Sequence, residues 1–222
     1  MLTATLILER FNKDHRLLER RELPSRSFVK NFIGLLYCAH AQIQQGAPYS
    51  MQDITNTARN VDGQCDPNYY SKSNLRIAAA PGPAGEFCTS GTYSMANLDY
   101  YLMLKGDQIG IQVGTGVGAV TPTDVALGTR IAHGSAAGQL EYGGCELLSI
   151  AFADPNGQFT IRRYFSNNSG GAITVQEVGI YSVGTKYTYG AWYFLIARDL
   201  TGAIAVANTE LLRVTYVVQI TV

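Results

Sequence analysis

A glycine-rich stretch near the middle of the chain has residue types and spacing that could bind a phosphate. Gly114, Gly116 and Ala119 match the pattern G-x-G-x-x-A. They follow a strand predicted over 109–113, as a dinucleotide-binding turn requires. A helix must come next, because the pyrophosphate binds at a helix N-terminus. Pro122 and its β-branched neighbours lie where that helix would run, so we expect no cofactor here.

His133 and Ser135 could supply the base and the nucleophile of a hydrolase. A serine nucleophile of the α/β-hydrolase type lies in a G-x-S-x-G turn, and the sequence around Ser135 lacks that pattern. The other two histidines, His15 and His40, have no spacing that connects them to this serine. We interpret Ser135 as a turn residue.

Two groups of oxygen-bearing side chains could form an acid/base pair and a metal site. Glu141 and Glu146 flank a Gly-Gly pair, but without geometry we expect them to be solvated charges. Asp62, Asp66 and Asn68 weakly resemble a calcium loop, which the missing bidentate glutamate disfavours. The sequence therefore predicts no catalytic residue and no metal ligand.

The cysteines and a glycosylation sequon have structural interpretations. The four cysteines lie far apart with no C-x-x-C pair, which disfavours a zinc ribbon or a thioredoxin-type site. We expect buried free thiols at Cys38, Cys65, Cys88 and Cys145. Residues 167–169, Asn-Asn-Ser, match the N-glycosylation sequon, and we interpret them as a hairpin turn.

The charges argue against a nucleic-acid partner, since 17 basic residues balance 17 acidic ones. The one basic cluster is interleaved with acidic residues and predicts a salt-bridged surface or a subunit contact; it comprises Arg16, Arg20, Arg21 and Arg26, with Glu19 and Glu22. Eight tyrosines could form a carbohydrate-stacking surface, although packing is commoner; they are Tyr69, Tyr70, Tyr93, Tyr100, Tyr101, Tyr187, Tyr189 and Tyr193.

The composition favours a mainly β protein. Hydrophobic residues make up 46% and charged residues 15% of the chain, with 23 glycines and 14 tyrosines, which suits short strands joined by tight turns. So few charges favour an exterior partly covered by other subunits. The sequence shows neither a signal-peptide pattern nor eighteen consecutive apolar residues. We therefore expect assembly in the cytoplasm and no membrane partner.

Periodicity predicts the elements of the N-terminal part. Leu2–Phe11 alternates between apolar and polar residues as a strand does, and 16–23 returns as a second strand to form a hairpin. Apolar residues then recur at helical spacing, which predicts a helix from about 26 to about 44. Ser25 or Ser27 is expected to cap it.

The remainder of the chain divides into a loop-rich stretch and a strand-rich stretch. Residues 46–106 are expected to contain short elements or to be ordered against partners. The strand pattern then resumes, without intervening helices, at 109–113, 146–152, 159–165, 173–181, 192–197 and 212–222. This predicts an antiparallel β-sandwich or jelly-roll-like domain over 108–222, after an N-terminal docking region over 1–45 and an intermediate region over 46–107.

Three phrases resemble segments of tailed-phage virion proteins. VGTGVGAVTPTDVALGTRIAHG, residues 113–134, resembles a phrase of tail-fibre, collar and related proteins in which a VGTG turn precedes TPTD. NNSGGAITVQEVGIYS, residues 167–182, followed by WYFLIARDL and a final alternating strand, is similar to the ending of those proteins. RELPSRSFVKNFIGLLY, residues 21–37, is similar to a phrase of uncharacterised phage structural proteins.

The resemblance implies a β module of the virion and brings no catalytic residue with it. Its glycines are expected to permit tight turns, and Gly179 to bend its strand. We expect a non-enzymatic tail, neck, collar or fibre subunit that forms homo-oligomers and docks to other virion proteins. The alternatives are a capsid decoration or host-receptor glycan-binding protein, and a virion-associated hydrolase that uses Ser135 or the Glu141/Glu146 pair.

Overall fold

The computed structural model describes residues 2–25, 27–41, 50–60, 108–148, 150–186 and 190–221. Its strands pair antiparallel in every sheet. The predicted mainly β fold with an N-terminal hairpin is therefore confirmed, and the described residues contain one helix. The elements in chain order are β1 Leu2–Phe11, β2 Leu17–Ser25, α1 Lys30–Ala41, β3 Ser50–Gln52, β4 Ala58–Asn60, β5 Gly110–Gly114, β6 Glu141–Leu147, β7 Ala151–Ala153, β8 Asn156–Ser166, β9 Ile173–Lys186, β10 Gly190–Val206 and β11 Leu211–Thr221.

The larger sheet is built around β11. Its strand order is β2-β1-β11-β8-β6, and β7 also pairs with β8. Alternate residues of β11, namely Leu212, Val214 and Tyr216, are fully buried. Leu6 and Leu8 of β1 lie opposite Tyr216 and Val214 and are buried on the same face. The period-two pattern of both strands therefore directs one face of the sheet into the core, as predicted.

The smaller sheet has the order β10-β9-β5 and covers that face. Ile111 and Val113 of β5, with Val178 and Ile180 of β9, belong to the same buried cluster as Leu6 and the other apolar residues of the larger sheet. The core thus lies between two sheets in a sandwich-like arrangement.

Polar side chains buried between the sheets also connect them. Arg163 of β8 is fully buried and donates to the carbonyl oxygens of Ile109 (2.8 Å) and Ile111 (3.1 Å) beside and within β5. On β10, the Asp199 carboxylate accepts hydrogen bonds from Ser25 of β2 (2.7 Å) and Tyr216 of β11 (2.9 Å). Burial and the neighbouring Asp199 charge raise the pKa of Tyr216 well above its ordinary value, so this hydroxyl is a donor.

The helix α1 begins later than predicted. Neither serine is its N-cap, because the helix begins at Lys30 and the Ser25 hydroxyl instead donates to Asp199. The Lys30 N–H donates to the Pro122 carbonyl oxygen at 2.8 Å, so a distant loop satisfies the first turn. Phe28 and Phe32 stack with centroids 4.2 Å apart and pack against the core.

No helix in the described part of the chain is long and apolar enough to span a membrane.

Two predicted stretches have different boundaries. The strand predicted over 146–152 is two strands, since β6 ends at Leu147 and β7 begins at Ala151, and both pair with β8. The loop-rich stretch contains the short β3–β4 hairpin, in keeping with the short elements expected there. Residues 61–107 of that stretch lie outside the described residues. The proposed division into three regions stays a prediction.

The turn of the β3–β4 hairpin is organised by one carboxylate. Asp53 is buried and accepts hydrogen bonds from the backbone N–H groups of Thr55 and Thr57 and from the Arg59 guanidinium. Burial alone would raise the pKa of Asp53, but the Thr55 hydroxyl, Arg59 and the two amides outweigh it and lower the pKa to about 2. This turn is an Asx turn reinforced by an ion pair.

Candidate functional site: a buried carboxylate network beneath an exposed loop

The phrase over 113–134 forms a long loop that is fastened to the edge of β5. The chain leaves β5 at Gly114, and residues 115–130 form the loop (the 115–130 loop) before the chain returns along the same strand. The Thr115 N–H donates to the Thr129 carbonyl oxygen (2.8 Å), and the Ile131 N–H donates to that of Val113 (3.0 Å). Val117 within the loop is 67% exposed. The loop therefore presents a surface to solvent while its two ends are fixed.

Glu177 of β9 lies beneath this loop and is the centre of the site. Its side chain is fully buried. One carboxylate oxygen accepts the N–H groups of Gly116 (2.9 Å) and Thr129 (2.8 Å). The other oxygen accepts the Gly128 N–H (3.0 Å) and the Nε–H of Arg198 (2.8 Å). A single carboxylate thus binds both ends of the loop to the sheet.

The ionised form of Glu177 is favoured in spite of its burial. Removal from water alone would raise the pKa of a carboxyl group. The backbone N–H groups of Thr129 and Gly128, with the Arg198 guanidinium, outweigh that effect and hold the pKa of Glu177 below its ordinary value. Each acceptor oxygen has two donors, so the negative charge is well satisfied.

Two glycines of the VGTG phrase are required because the carboxylate approaches the backbone closely. A Cβ atom on Gly114 would lie 2.5 Å from a Glu177 oxygen and equally close to the Thr129 carbonyl oxygen. A Cβ on Gly116 would collide with the same carboxylate. Neither glycine is among the described residues with left-handed φ. The expectation that these glycines serve tight turns is therefore wrong for both, and the requirement is space.

The TPTD phrase joins the network through Arg198 of β10. The Arg198 side chain is 5% exposed and donates from Nη1 to Asp124 at 2.7 Å and from Nη2 to the Gly118 carbonyl oxygen at 3.1 Å. Asp124 also accepts the hydroxyl (2.6 Å) and the N–H (3.1 Å) of Thr121. Burial would raise the pKa of Asp124, but Thr121 and Arg198 lower it overall. Arg198 therefore bridges Glu177 and Asp124.

A second contact fixes the loop at the residue before Gly128. The Leu127 N–H donates to the Tyr181 hydroxyl oxygen at 2.7 Å. Burial raises the pKa of Tyr181 to about 12. A Cβ on Gly179 would lie 2.9 Å from side-chain atoms of Leu127 and Leu195. Gly179 therefore leaves room for the loop to pack, and the bend expected at this residue stays a prediction.

We call the network of Glu177, Arg198 and Asp124 the clamp, because it holds the 115–130 loop on the smaller sheet. Both oxygens of Glu177 are occupied by donors from the protein, and Arg198 is shared between two carboxylates and two backbone carbonyl groups. Its ionic groups comprise two carboxylates and one guanidinium, and the backbone N–H groups stabilise the excess negative charge. Within the described residues, no group of three or more His, Cys, Asp or Glu side chains could hold a metal ion.

The glycines that matched a dinucleotide-binding turn enclose a carboxylate of the protein itself. The residues after Gly116 form the 115–130 loop, and no helix follows β5 in the described segment 108–148. The site lacks the helix N-terminus that a pyrophosphate would need. The spacing of Gly114, Gly116 and Ala119 therefore has a structural explanation.

The structure gives the candidate catalytic residues separate surroundings. His133 is exposed, and its Nδ1 accepts the Tyr142 N–H at 2.9 Å, while Ser135 lies in an exposed turn. Glu141 accepts a hydrogen bond from Asn168, and Glu146 forms a 2.7 Å ion pair with Arg162. His15 lies in the β1–β2 turn and His40 in α1. The two glutamates therefore bind different partners.

The other predicted features divide between described and undescribed parts. Cys145 is buried as a free thiol, as expected. Asn167 of the sequon lies in the turn between β8 and β9 and is fully buried. Its Nδ2 donates to the carbonyl oxygens of Gly171 in the same turn (2.8 Å) and of Val206 on β10 (2.7 Å). Tyr193 is partly buried on β10. The remaining predicted residues lie outside the described residues or have side chains that the structure does not describe; they are Arg26, Cys38, Asp62, Cys65, Asp66, Asn68, Tyr69, Tyr70, Cys88, Tyr93, Tyr100, Tyr101, Tyr187 and Tyr189.

Four residues of the basic cluster form salt bridges on β2. Arg21 pairs with Glu19 at 2.6 Å, and Arg20 pairs with Glu22 at 2.8 Å. Arg21 also donates to the Ala203 carbonyl oxygen of β10 at 3.0 Å. The salt bridges predicted for these four residues are therefore present, and the subunit contact stays a prediction.

Sequence analysis did not identify Asp124, Glu177 and Arg198 as partners. All three lie inside the phrases that carry the resemblance, namely TPTD, QEVG and IARD. The sequence signal that could have indicated their contact is the joint occurrence of these phrases in the proteins that the chain resembles. Neither periodicity nor a local motif connects residues so far apart in the chain.

Comparison with models of known protein families, with curated proteins and with solved structures finds no match. The functional interpretation therefore depends on the three phrases and on the geometry of the network that two of them form, 113–134 and 167–182 with the segment that follows.

Replacing Glu177 by glutamine is expected to lower the free energy of unfolding by about 3 to 5 kcal/mol, because a buried guanidinium and several amides lose a charged acceptor. Urea denaturation followed by circular dichroism measures the change. Glu146→Gln is the matched control: the same substitution in a partly exposed ion pair should cost under about 1 kcal/mol. Equal losses in the two variants would contradict the clamp.

A second pair of variants tests whether Gly116 is required for the space it leaves or for the flexibility of its backbone. Gly116→Ala should destabilise the chain by about 1 to 3 kcal/mol, because the added methyl group displaces the Glu177 carboxylate. Gly118→Ala adds the same methyl group where no atom lies within 4 Å, so stability should be unchanged or raised by under about 1 kcal/mol. Thermal unfolding of both variants tests this; a similar loss at both positions would refute it.

Proposed function

We propose that this chain is a non-enzymatic structural subunit of a tailed-phage virion, in the tail, neck, collar or a fibre-associated position. It acts by self-assembly and by docking to other virion proteins after synthesis in the host cytoplasm. The observation that carries the proposal is the convergence on Glu177 of two virion-like phrases, 113–134 and 167–182 with the WYFLIARDL segment that follows. Their glycines, Asp124 and Arg198 are the groups that build the clamp.

This convergence makes the resemblance more specific than a shared composition would be. A loop held by one buried carboxylate needs the VGTG glycines, the TPTD turn and the arginine of IARD together. Because these parts lie on different segments, their joint presence describes one three-dimensional unit. The resemblance therefore supports a common structural module and extends beyond short turn sequences.

The distribution of polar groups also favours a structural function. The buried ionisable side chains of Glu177, Arg198 and Asp199 are engaged with protein partners, and Arg163 bonds backbone carbonyl groups between the sheets. Several large apolar side chains are instead exposed, including Leu17, Ile33, Val117 and Phe152. Such a protein is suited to burying surface against other subunits.

Capsid decoration or recognition of a host glycan is the second candidate. The Arg59 guanidinium lies 5.3 Å from the centre of the partly exposed Trp192 ring, beside the β3–β4 hairpin. An aromatic ring next to hydrogen-bonding groups is the type of surface on which sugars stack.

Light scattering combined with electron microscopy of the purified chain tests the leading proposal. A closed ring or a short fibre of defined mass is expected, since the subunit carries its own assembly surfaces. A chain that stays monomeric at every concentration would contradict self-assembly. If that monomer is retained on a glycan array, the second candidate replaces the first.

A further inference from the structure

One end of the larger sheet carries apolar side chains that the smaller sheet does not cover. Leu2 of β1 lies opposite Ile220 of β11, Ile220 lies opposite Gly157 of β8, and Gly157 lies opposite Phe152 of β7. We call these four residues the apolar row. Cross-strand partners share a face, and this face is the one that buries Leu6 farther along β1.

The boundary of the core falls immediately before the apolar row. Along β11 the exposed fraction rises from 8% at Val218 to 52% at Ile220, and along β1 from 4% at Ala4 to 48% at Leu2. Phe152 is 82% exposed, and its ring covers Gly157, where a Cβ would lie 3.2 Å from two ring atoms. The apolar row therefore continues the core-facing side of the larger sheet beyond the edge of the smaller sheet, where its side chains are exposed to solvent.

We propose that a second copy of this chain covers the apolar row, so that two rows meet across a two-fold axis. This deepens the proposed self-assembly and rests on it. The row contains no charged residue, so it can face its own copy without repulsion. It also ends at an exposed edge, because within the described residues β7 pairs with β8 alone and all three of its residues are exposed.

The exposed area suits a stable pair of subunits. The three side chains of the row expose about 350 Å² of apolar surface, from the sizes of aromatic and aliphatic side chains. A pair would bury about 700 Å² of apolar area, which at the usual non-polar share corresponds to an interface of about 1,200 Å². That is the lower end of the range for specific, stable interfaces. The apolar row can thus form the core of a symmetric contact.

Light scattering of the full chain and its variants tests this contact. The wild-type mass should be an even multiple of the chain mass, and Phe152→Glu should halve it or weaken association at least tenfold, since a charge would replace the most exposed apolar side chain of the row. Ile220→Lys should act in the same way. Leu200→Glu is the matched control, because Leu200 is also an exposed apolar residue but lies on β10 of the smaller sheet, and it should leave the mass unchanged. Circular dichroism verifies that each variant is folded.

The possible failures are distinguishable. If the wild type forms a discrete assembly and folded Phe152→Glu retains its full mass, or if the assembly has an odd number of chains, the two-fold contact is wrong while self-assembly stands. If the wild type is monomeric, both proposals are overturned and another virion protein, or a different segment of this chain, becomes the candidate occupant of the apolar row.

Discussion

The contact on which the rest of the site depends is the ion pair between Glu177 and Arg198, buried between the 115–130 loop and the smaller sheet. Removing two charges from water is costly, and their attraction offsets that cost only when the remaining hydrogen-bonding capacity is also satisfied. Three backbone amides and Asp124 satisfy it here. The network is stable as a complete set, so each component constrains the others.

This constraint explains why the loop can be long, exposed and fixed at the same time. Gly116 and Gly128 bring backbone amides to the carboxylate, Asp124 orders the TPTD turn, and the Pro122 carbonyl oxygen accepts the first N–H of α1. The helix, the loop and the edge of the smaller sheet are thereby joined. A subunit that docks by burying complementary surfaces benefits from such a preorganised loop, because little conformational entropy is lost on binding.

The fold was largely predictable from the sequence, whereas the site was not. Alternation in β1 and β11 defines the buried face directly, because a strand has a period of two residues. The late start of α1 escaped prediction because the Lys30 N–H is satisfied by Pro122, far away in sequence, while Ser25 binds Asp199. The local pattern of β9 does not distinguish Glu177 from other polar residues of a strand, because its partners lie on other segments. Local patterns carry no information about such long-range pairs.

The most direct test of this account is the hydrogen-exchange rate of the amides of Gly116, Gly128 and Thr129, read by nuclear magnetic resonance on the wild-type chain. The account predicts slow exchange for all three, comparable to amides within β9, because each N–H is held by the buried Glu177 carboxylate. Exchange as fast as that of the exposed turn around Ser135 would contradict the clamp and with it the structural basis proposed for the virion-like phrases.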